Sequence, residues 1–545
     1  MVVSRAVIER MIEHGIDTVF GIPGKQSLPL NEAIGGRDDI EFVVARHETA
    51  VTHQAWGYAE TSGRMAATVV VPGPGDMNAM NGLKNALNDC TPLLHFAIET
   101  DPKLRGGDAI HETPPDTYDH VVKANLLVEN PEGALATVDR AVEIARTPPK
   151  GPVRVGVPKS YLPMDADQAA SNAKPPEVPG PVPEAAIENA AELLSAATEP
   201  VIVAGGGVRS AGGSEKLRAV AERLGSPVVT TYKGKGVFPE DHDLSAGVLS
   251  GSASPELLAL LSESDAALAI GSDLDAHATR GWSVDLPERL VHVTLGVDDI
   301  GTGYPPEIGI VADATAALEA LDEELSALGV SGSDDGLAVS VRRATRDRIE
   351  PLLGDEPPIT SVRALRAVRE TLPREAVVGV DAGGFRVWGL NVFEAYDPRG
   401  YVNPGSWATM GTGLPSAIGA QLSNPDSPVV ALTGDGGLMM CVHELHTVAT
   451  ENLPLTVVVL NNDDYAIISE EAGRSYELAT DEYSWSETPL SFTTIAEGMG
   501  IPATGCRTPE EIEEALADAL ESGTPNLIEV RVDPTEPQAG EFMSE

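Results

Sequence analysis

Two segments of the chain carry oxygen ligands directly after apolar, strand-like runs. The run VVAL (429–432) leads into Gly-Asp-Gly (434–436), and the run TVVVL (456–460) leads into Asn461 and Asn462. Mg²⁺ takes a near-octahedral shell of hard oxygens, usually with only one or two protein carboxylates, and leaves the other positions to phosphate oxygens and water. The two segments therefore predict a site in which a divalent cation holds a diphosphate.

Each residue type has a definite part in such a site. We expect Asp435 to supply the negative charge, Asn462 a neutral side-chain oxygen and Asp464 a backbone carbonyl oxygen. Gly436 and Gly437 would let backbone N–H groups approach the diphosphate at the start of a helix, where the helix dipole also favours an anion. An ordinary turn explains most Gly-Asp-Gly triplets, but the second strand ending in two asparagines favours the metal site.

The GDG and NN pair resembles the signature of enzymes that depend on thiamine diphosphate (ThDP). Further segments, in the same order along the chain, resemble acetolactate synthase and its close relatives. They are FGIPG (20–24), RHETA (46–50), GPGDMN (73–78), GKGVFPEDH (234–242) and SWATMGTGLPSAIGA (406–420). The resemblance implies ThDP and Mg²⁺ as cofactors and 2-oxo acids as substrates.

The same resemblance implies roles for individual residues. Glu48 matches the carboxyl that bonds the ring nitrogen of the cofactor's aminopyrimidine, and Met440 matches the apolar wedge between its two rings. The backbone around Met410 is expected to bond the aminopyrimidine. Pro74 and Asn78 match contacts from a neighbouring subunit, which implies a homodimer or homotetramer with active sites between chains. The other expected cofactor contacts are Pro23, Gly24, Gly383, Gly384, Ala408, Gly434, Tyr465, Ala466 and Ile467.

The residues around the expected substrate depart from the family pattern. Lys25 and Gln26 stand where the family has two small residues, and His111 stands where it has a glutamine in the catalytic pocket. A polar pocket results. We count Lys25, Gln26 and His111 with Glu48 as candidate catalytic residues, and the alternative for Lys25 and His111 is a surface pairing with acidic neighbours, Glu112 in the case of His111.

Two further pairs also differ from the family. Glu470 and Glu471 replace a Gln-Trp pair that shapes the pocket for the second substrate. Gly384 and Phe385 replace a Gln-His pair that contacts the diphosphate. These departures affect substrate choice and cofactor contacts without removing the residues expected to activate ThDP.

Three functions remain open on the sequence. The overall resemblance favours carboligation, in which pyruvate loses carbon dioxide and its two-carbon unit is transferred to a second 2-oxo acid. His111 can exchange a proton near neutral pH, which favours the alternative of a plain 2-oxo acid decarboxylase, similar to those acting on benzoylformate, sulfopyruvate or phosphonopyruvate. A ThDP-fold protein without catalysis is the third reading, and retention of Glu48, Asp435, Asn462 and Met440 argues against it.

FAD is a further cofactor that the resemblance permits. Acetolactate synthases carry it in their middle domain, but here the corresponding stretch, SDLDAHATRGW (272–282), departs from their Asp-Asp-Arg pattern. The three glycines at 205–207 follow a strand and precede a helix, yet their spacing misses the dinucleotide fingerprint. Similarly, HELH (443–446) lacks the spacing of a zinc-protease helix, so helix residues beside the diphosphate site are expected there.

Composition restricts the partners and the setting. The chain has 83 acidic and 37 basic residues and a formal net charge of −46, a balance that opposes binding to nucleic acid or to anionic membranes. The acidic excess is spread along the chain, which favours a halophilic protein over a merely acidic one, because molar salt screens charge over about 3 Å. Three widely spaced cysteines and no apolar run long enough for a membrane span indicate a cytoplasmic protein.

Short apolar runs alternate with helical periods along the chain, and they predict three consecutive doubly wound α/β domains with mainly parallel sheets. The expected pyrimidine-binding domain covers 1–164, a central domain 185–330, and the diphosphate and Mg²⁺-binding domain 359–535. Linkers are expected at 165–184 and 331–358, and a tail at 536–545.

Overall fold

The computed structural model describes residues 1–166, 181–333, 336–479 and 481–544. Within them the chain forms three α/β units, each built on a six-stranded sheet whose strands all run parallel. Most central strands are buried on both faces, as expected for sheets covered by helices on both sides. The predicted fold class is confirmed.

The first sheet has the strand order β2-β1-β3-β4-β6-β5. Its strands are β1 (Thr18–Gly21), β2 (Glu41–Val44), β3 (Ala66–Val70), β4 (Leu93–Glu99), β5 (Ala124–Leu127) and β6 (Val153–Pro158). Its helices are α1 (Val3–Glu13), α2 (Leu28–Ile34), α3 (Glu48–Ser62), α4 (Pro74–Asn88) and α5 (Ala134–Arg146).

The second sheet has the order β12-β11-β10-β7-β8-β9. Its strands are β7 (Pro200–Ala204), β8 (Val228–Thr231), β9 (Ser245–Leu249), β10 (Ala266–Ile270), β11 (Leu290–Thr294) and β12 (Ile308–Val311). Its helices are α6 (Glu184–Ser195), α7 (Gly206–Ala211), α8 (Ser214–Leu224), α9 (Pro255–Glu263) and α10 (Ala314–Ala327).

The third sheet has the order β14-β13-β15-β16-β18-β17. Its strands are β13 (Val377–Val380), β14 (Tyr401–Val402), β15 (Val429–Gly434), β16 (Leu455–Asn461), β17 (Ala503–Cys506) and β18 (Asn526–Arg531). The helices after the second sheet are α11 (Leu337–Ile349), α12 (Ser361–Thr371), α13 (Gly384–Val392), α14 (Gly413–Ser423), α15 (Asp435–Cys441), α16 (Leu445–Thr450), α17 (Ala466–Tyr476), α18 (Phe492–Gly498), α19 (Pro509–Ser522) and α20 (Ala539–Phe542).

The segments between and after the sheets are only partly described. Residues 167–180 of the first expected linker lie outside the described residues. In the second, α11 packs with Ala338 and Val341 into the core of the middle sheet, because its apolar stripe finds a buried face there. The expected tail also packs on the protein, because Met543 within it is fully buried. The exact ends of the three domains stay a prediction.

The first and third units meet closely along α3 and α14. A Cβ atom at Gly57 would lie 2.2 Å from the carbonyl oxygen of Ser416, and one at Gly419 would lie 1.9 Å from that of Gln54. Any side chain at either position would force the backbones apart. The two glycines therefore hold the amino-terminal unit against the carboxy-terminal unit. In the described residues, no helix is long and apolar enough to cross a membrane.

Candidate thiamine diphosphate site

The carboxyl ends of β15 and β16 bring the two halves of the predicted metal site together. The strands are parallel neighbours with Gly434 opposite Leu460, so Asp435 and Asn462 follow at the same edge of the sheet. The backbone N–H of Asn462 donates to Asp435 Oδ2 at 3.2 Å, and that of Gly436 donates to Oδ1 at 2.8 Å. The backbone N–H of Asp464 donates to Asn462 Oδ1 at 3.3 Å. The loop is thus ordered around the two expected ligands.

The environment of Asp435 suits a cation. Its side chain is buried, and burial raises the pKa of its carboxyl to about 6, although nearby backbone N–H groups act in the opposite direction. No lysine or arginine pairs with it in the part of the chain that the structure describes. The described residues hold no cluster of three or more His, Cys, Asp or Glu suited to a metal. One carboxylate with amide and carbonyl oxygens is the donor set that Mg²⁺ accepts beside a diphosphate.

Gly436 lies beneath two residues that were expected to contact the cofactor. A Cβ atom at this glycine would lie 2.5 Å from Tyr465 Cε1 and 3.3 Å from Met410 Cε. Tyr465 in turn packs edge-on against Trp485, with ring centroids 5.0 Å apart. A glycine is required here because three separate loops converge on its Cα atom.

The methionine expected as a wedge projects into open space. Met440 is 50% exposed although it lies within α15, and its Cβ atom is 3.0 Å from the ideal Cβ position of Gly411. An exposed methionine beside a loop of glycines is available to a ligand rather than committed to the core. Ala408, in the same loop as Gly411, adopts a left-handed backbone with φ 45°.

The start of α13 contacts the start of α17. A Cβ atom at Gly384 would lie 3.2 Å from Ile467 Cγ1, and Gly383 precedes the helix with a positive φ of 157°. Ala466 is the first residue of α17. All the expected diphosphate contacts of the third unit therefore lie at the carboxyl ends of β13, β15 and β16, where ligands of open α/β sheets usually bind.

A second group of expected residues lies at the carboxyl ends of β1, β2 and β3. Glu48 begins α3 directly after β2, and Asn78 Nδ2 donates to its Oε2 at 3.1 Å. A Cβ atom at Gly75, next to Pro74, would lie 3.0 Å from Glu48 Oε1. The glycine therefore leaves room for the carboxylate, and the structure brings Glu48 together with Pro74 and Asn78.

The loop after β1 packs on the loop after β3. A Cβ atom at Gly24 would lie 2.1 Å from Val71 Cγ1 and 3.9 Å from Gln26 Oε1. Pro23 and Lys25 are exposed on this loop. Lys25 is therefore free of the core and near the residues that follow β3.

His111 joins the same group. A Cβ atom at Gly73 would lie 2.7 Å from the His111 carbonyl oxygen, and His111 has a left-handed backbone with φ 66°. Its Nδ1 is buried and has no hydrogen-bond partner within the described residues. Glu112 does not pair with it, because Glu112 accepts from the backbone N–H groups of Gly106 at 2.5 Å and Ala109 at 3.1 Å. His111 thus keeps its ring for another partner.

Glu444, which the sequence placed only among helix residues beside the diphosphate site, also supports the turn before Glu48. Its side chain is fully buried, and it accepts hydrogen bonds from the backbone N–H groups of Arg46 and His47 and from the Gln54 side chain. Burial raises the pKa of the Glu444 carboxyl. The residue lies in the HELH segment and fixes the backbone immediately before Glu48. In the sequence, the only indication of this role was that Glu444 follows an apolar helical turn.

Asp381 is a site residue that sequence reasoning missed. It is fully buried after β13 and accepts from the backbone N–H groups of Gly411 at 2.8 Å and Thr412 at 3.1 Å, and from the Thr433 hydroxyl at 3.0 Å. Burial raises the pKa of its carboxyl. It ties the loop that carries Met410 to the end of the strand that carries Asp435. An Asp directly after the apolar run VVGV could have indicated this role.

The acidic pair at 470–471 forms ion pairs on the surface. Arg474 Nε lies 3.0 Å from Glu470 Oε1, and its guanidinium also pairs with Glu471 and Glu541. The spacing of three and four residues along α17 produces this arrangement. The pair is thus bound to Arg474 rather than free to bind a substrate.

The middle unit carries several carboxylates in and near the stretch where the resemblance implies FAD. Burial and the nearby carboxylates of Asp275 and Asp299 raise the pKa of Asp273 to about 6, and a diphosphate would add negative charge beside them. Close packing explains why residues 205 and 207 are glycines, because a Cβ atom at either would lie within 2.8 Å of Gly271. FAD in the middle unit therefore stays an expectation drawn from the resemblance alone.

Comparison with known proteins decides the family. Three family models match in order: the thiamine pyrophosphate enzyme N-terminal TPP binding domain at residues 1–120, the central domain at 187–321 and the C-terminal TPP binding domain at 381–530. A probable acetolactate synthase large subunit of Methanocaldococcus jannaschii is 30% identical over 98% of this chain and 92% of the relative. The chain belongs to the thiamine pyrophosphate enzyme family.

Other members of this family are similar over the same extent. The acetolactate synthase large subunit of Corynebacterium glutamicum is 32% identical over 95% of this chain and 84% of its own length. Acetolactate synthase 1, chloroplastic, of Zea mays is 30% identical over 96% of this chain and 84% of its own length. As a thiamine pyrophosphate enzyme, the chain thus has its two cofactor-binding domains in its first and third units.

Proposed function

We propose that this thiamine pyrophosphate enzyme uses Mg²⁺ and acts on 2-oxo acids as an acetolactate synthase-like carboligase. The observation that carries the proposal is the gathering of two residue groups at sheet edges, with Asp435 and Asn462 in one and Glu48 and Asn78 in the other. Similarity to acetolactate synthases over nearly the whole chain supports the choice of reaction.

When bound, ThDP supplies a nucleophilic ring carbon and accepts the electron pair that is released when carbon dioxide leaves. Asp435, Asn462 and the carbonyl of Asp464 would hold Mg²⁺ against the diphosphate. Gly383, Gly384 and the backbone of Gly434, Gly436 and Gly437 would line it.

Glu48 would hold a proton at the aminopyrimidine ring nitrogen. Its carboxylate already accepts one hydrogen bond from Asn78, which leaves its second oxygen for the cofactor. Met440 would keep the two cofactor rings bent toward each other, because its side chain projects from α15 and is half exposed. Tyr465, Ile467 and Met410 would border the same space.

The groups from the first and third units would belong to different chains of a homodimer or homotetramer. Family resemblance supports this arrangement, in which Pro74 and Asn78 come from the neighbouring subunit. Single subunits would then be inactive, and activity would depend on protein concentration near the dissociation constant of the dimer.

Release of an aldehyde is the alternative outcome. His111 favours it, because its Nδ1 has no hydrogen-bond partner within the described residues and an imidazole can deliver a proton near neutral pH. Lys25 is exposed nearby and would attract the carboxylate of a substrate.

The deciding experiment is incubation of the purified protein at high KCl with ThDP, Mg²⁺ and a panel of 2-oxo acids, with products separated by mass. Acetolactate from pyruvate supports carboligation. Aldehyde as the sole product would show a decarboxylase instead of a carboligase. Absence of any turnover, with ThDP bound, supports a non-catalytic protein.

A further inference from the structure

The side chain of Gln538 lies where a side chain on residue 384 would point. A Cβ atom built on Gly384 would lie 3.3 Å from Gln538 Oε1 and 3.2 Å from Ile467 Cγ1. Gly384 begins α13 at the carboxyl end of β13, beside the strand that carries Asp435. A residue from the far end of the chain thus brings an amide to this edge of the site.

The carboxy-terminal segment is firmly packed rather than loosely placed. Trp388 Nε1 donates to the carbonyl oxygen of Pro537 at 3.2 Å, and the Trp388 ring meets the Phe542 ring with centroids 5.6 Å apart. Ala539 and Met543 are buried in the core of the third unit. Gln538 therefore has a fixed backbone position directly before α20.

The side-chain amide of Gln538 has no hydrogen-bond partner in the described residues of its own segment. Gln538 precedes α20, and its backbone carbonyl accepts from Glu541 and Phe542, but its side chain does not cap the helix and makes no hydrogen bond within the part of the chain that the structure describes. The side chain of Gln538 lies at Gly384, beside Ile467, and both of those residues are expected cofactor contacts. An amide without a partner in the described residues therefore borders the expected diphosphate position.

We propose that Gln538, whose side chain lies beside Gly384, donates a hydrogen bond to the diphosphate of ThDP. The proposal rests on the proposed ThDP site. A neutral donor is well suited to an anion here, because the chain carries a net charge of −46 and each N–H near the diphosphate offsets repulsion. A hydrogen bond to a charged group is stronger than a neutral one.

The test compares cofactor binding by the full chain and by Gln538→Ala, measured as dissociation constants of ThDP and of thiamine with Mg²⁺ by titration calorimetry. We expect the dissociation constant of ThDP to rise about 10-fold, as for loss of one charge-assisted hydrogen bond. The dissociation constant of thiamine, which has no phosphate, should stay the same. Equal weakening of both ligands, or no change in either, would overturn the proposal.

Two further variants separate this role from packing. Thr535→Ala lies in the same segment, where its hydroxyl bonds only Asp533 in the described residues, and it should bind ThDP like the wild type. Gly384→Gln combined with Gln538→Ala should recover most of the lost affinity, because the competing side chain is gone. A folded double variant that stays as weak as Gln538→Ala would contradict the proposal.

The titration of the wild type also tests the site itself. If the wild type does not bind ThDP, the cofactor assignment fails and the role of Gln538 falls with it. If the wild type binds ThDP and Gln538→Ala binds it equally well, only the role of Gln538 is wrong.

Discussion

Glu444 Oε1 accepts a hydrogen bond from the backbone N–H of His47 at 3.0 Å. The same oxygen accepts from the N–H of Arg46 at 2.8 Å. These bonds join the helix that follows Asp435 to the turn that precedes Glu48, across nearly four hundred residues of sequence. The position of the expected activating carboxyl in the first unit therefore depends on a buried carboxylate in the third.

Removal of this carboxylate should disturb both stability and turnover. In Glu444→Ala, two backbone N–H groups and the Gln54 amide lose their partner, and each buried orphan donor costs about 1 to 3 kcal/mol. We expect a lower unfolding midpoint and at least about a 10-fold drop in kcat, since about 1.4 kcal/mol of lost transition-state stabilisation already produces that factor. Glu444→Gln keeps an acceptor oxygen and should lose less of both, while the exposed Glu451→Ala should lose neither. Wild-type kcat and midpoint in Glu444→Ala would contradict the positioning role.

Replacement of Glu48 separates cofactor binding from turnover. Glu48→Gln keeps an oxygen for the Asn78 amide but loses the proton that the carboxyl exchanges, so kcat should fall by about 100-fold or more. ThDP and Mg²⁺ should remain bound, as equilibrium dialysis would show. Glu41→Gln, at the opposite end of β2, is the matched control. Equal turnover in Glu48→Gln and wild type would remove the proposed mechanism.

Replacement of Asp435, unlike that of Glu48, should abolish binding of the cofactor. Asp435→Ala removes the only carboxylate side chain of the proposed metal set, so retention of ThDP at micromolar concentration should be lost. The backbone N–H groups of Gly436 and Asn462 lose their acceptor in this variant, so the protein without cofactor should also become less stable. Gel filtration with cofactor analysis and thermal unfolding measure the two effects. Unchanged ThDP retention would refute the metal site.

Glu536 should make the carboxy-terminal segment sensitive to pH. Burial raises the pKa of its carboxyl from 4.5 to about 7, against the hydrogen bonds from Ser361. The folded state therefore holds the proton more tightly than the unfolded state. The protonated Glu536 adds to the free energy of unfolding, and this stabilisation is fully present below pH 4.5 and lost as pH rises through 7.

Glu536→Gln mimics the protonated form and should not lose this contribution. Between pH 5 and 8, the stability of the wild type should fall relative to that of the variant by about 1 to 3 kcal/mol. Thermal unfolding at high KCl provides the measurement, with the exposed Glu510→Gln as the control. A difference between wild type and Glu536→Gln that is the same at both pH values would show that Glu536 is not buried as described.

The sequence by itself determined the fold class and the ends of the key strands. Apolar runs buried on both faces, separated by helical periods, specify parallel sheets, and parallel strands present their carboxyl ends at one edge. For this reason Asp435 and Asn462 could be expected to meet from local patterns alone, whereas the roles of Glu48 and Asn78 came from the family resemblance. The family's order of motifs then indicated the cofactor.

Only the tertiary structure decided which distant residues support those ends. Glu444 contacts His47, Asp381 holds the loop of Met410, and Gln538 reaches Gly384, all through side chains whose partners are distant in the sequence. Local sequence carries periodicity and turn chemistry, but it does not carry the relative placement of segments that are far apart in the chain and meet where α3 packs on α14. Tertiary packing fixes that placement, because Gly57 and Gly419 permit one close approach of the two helices.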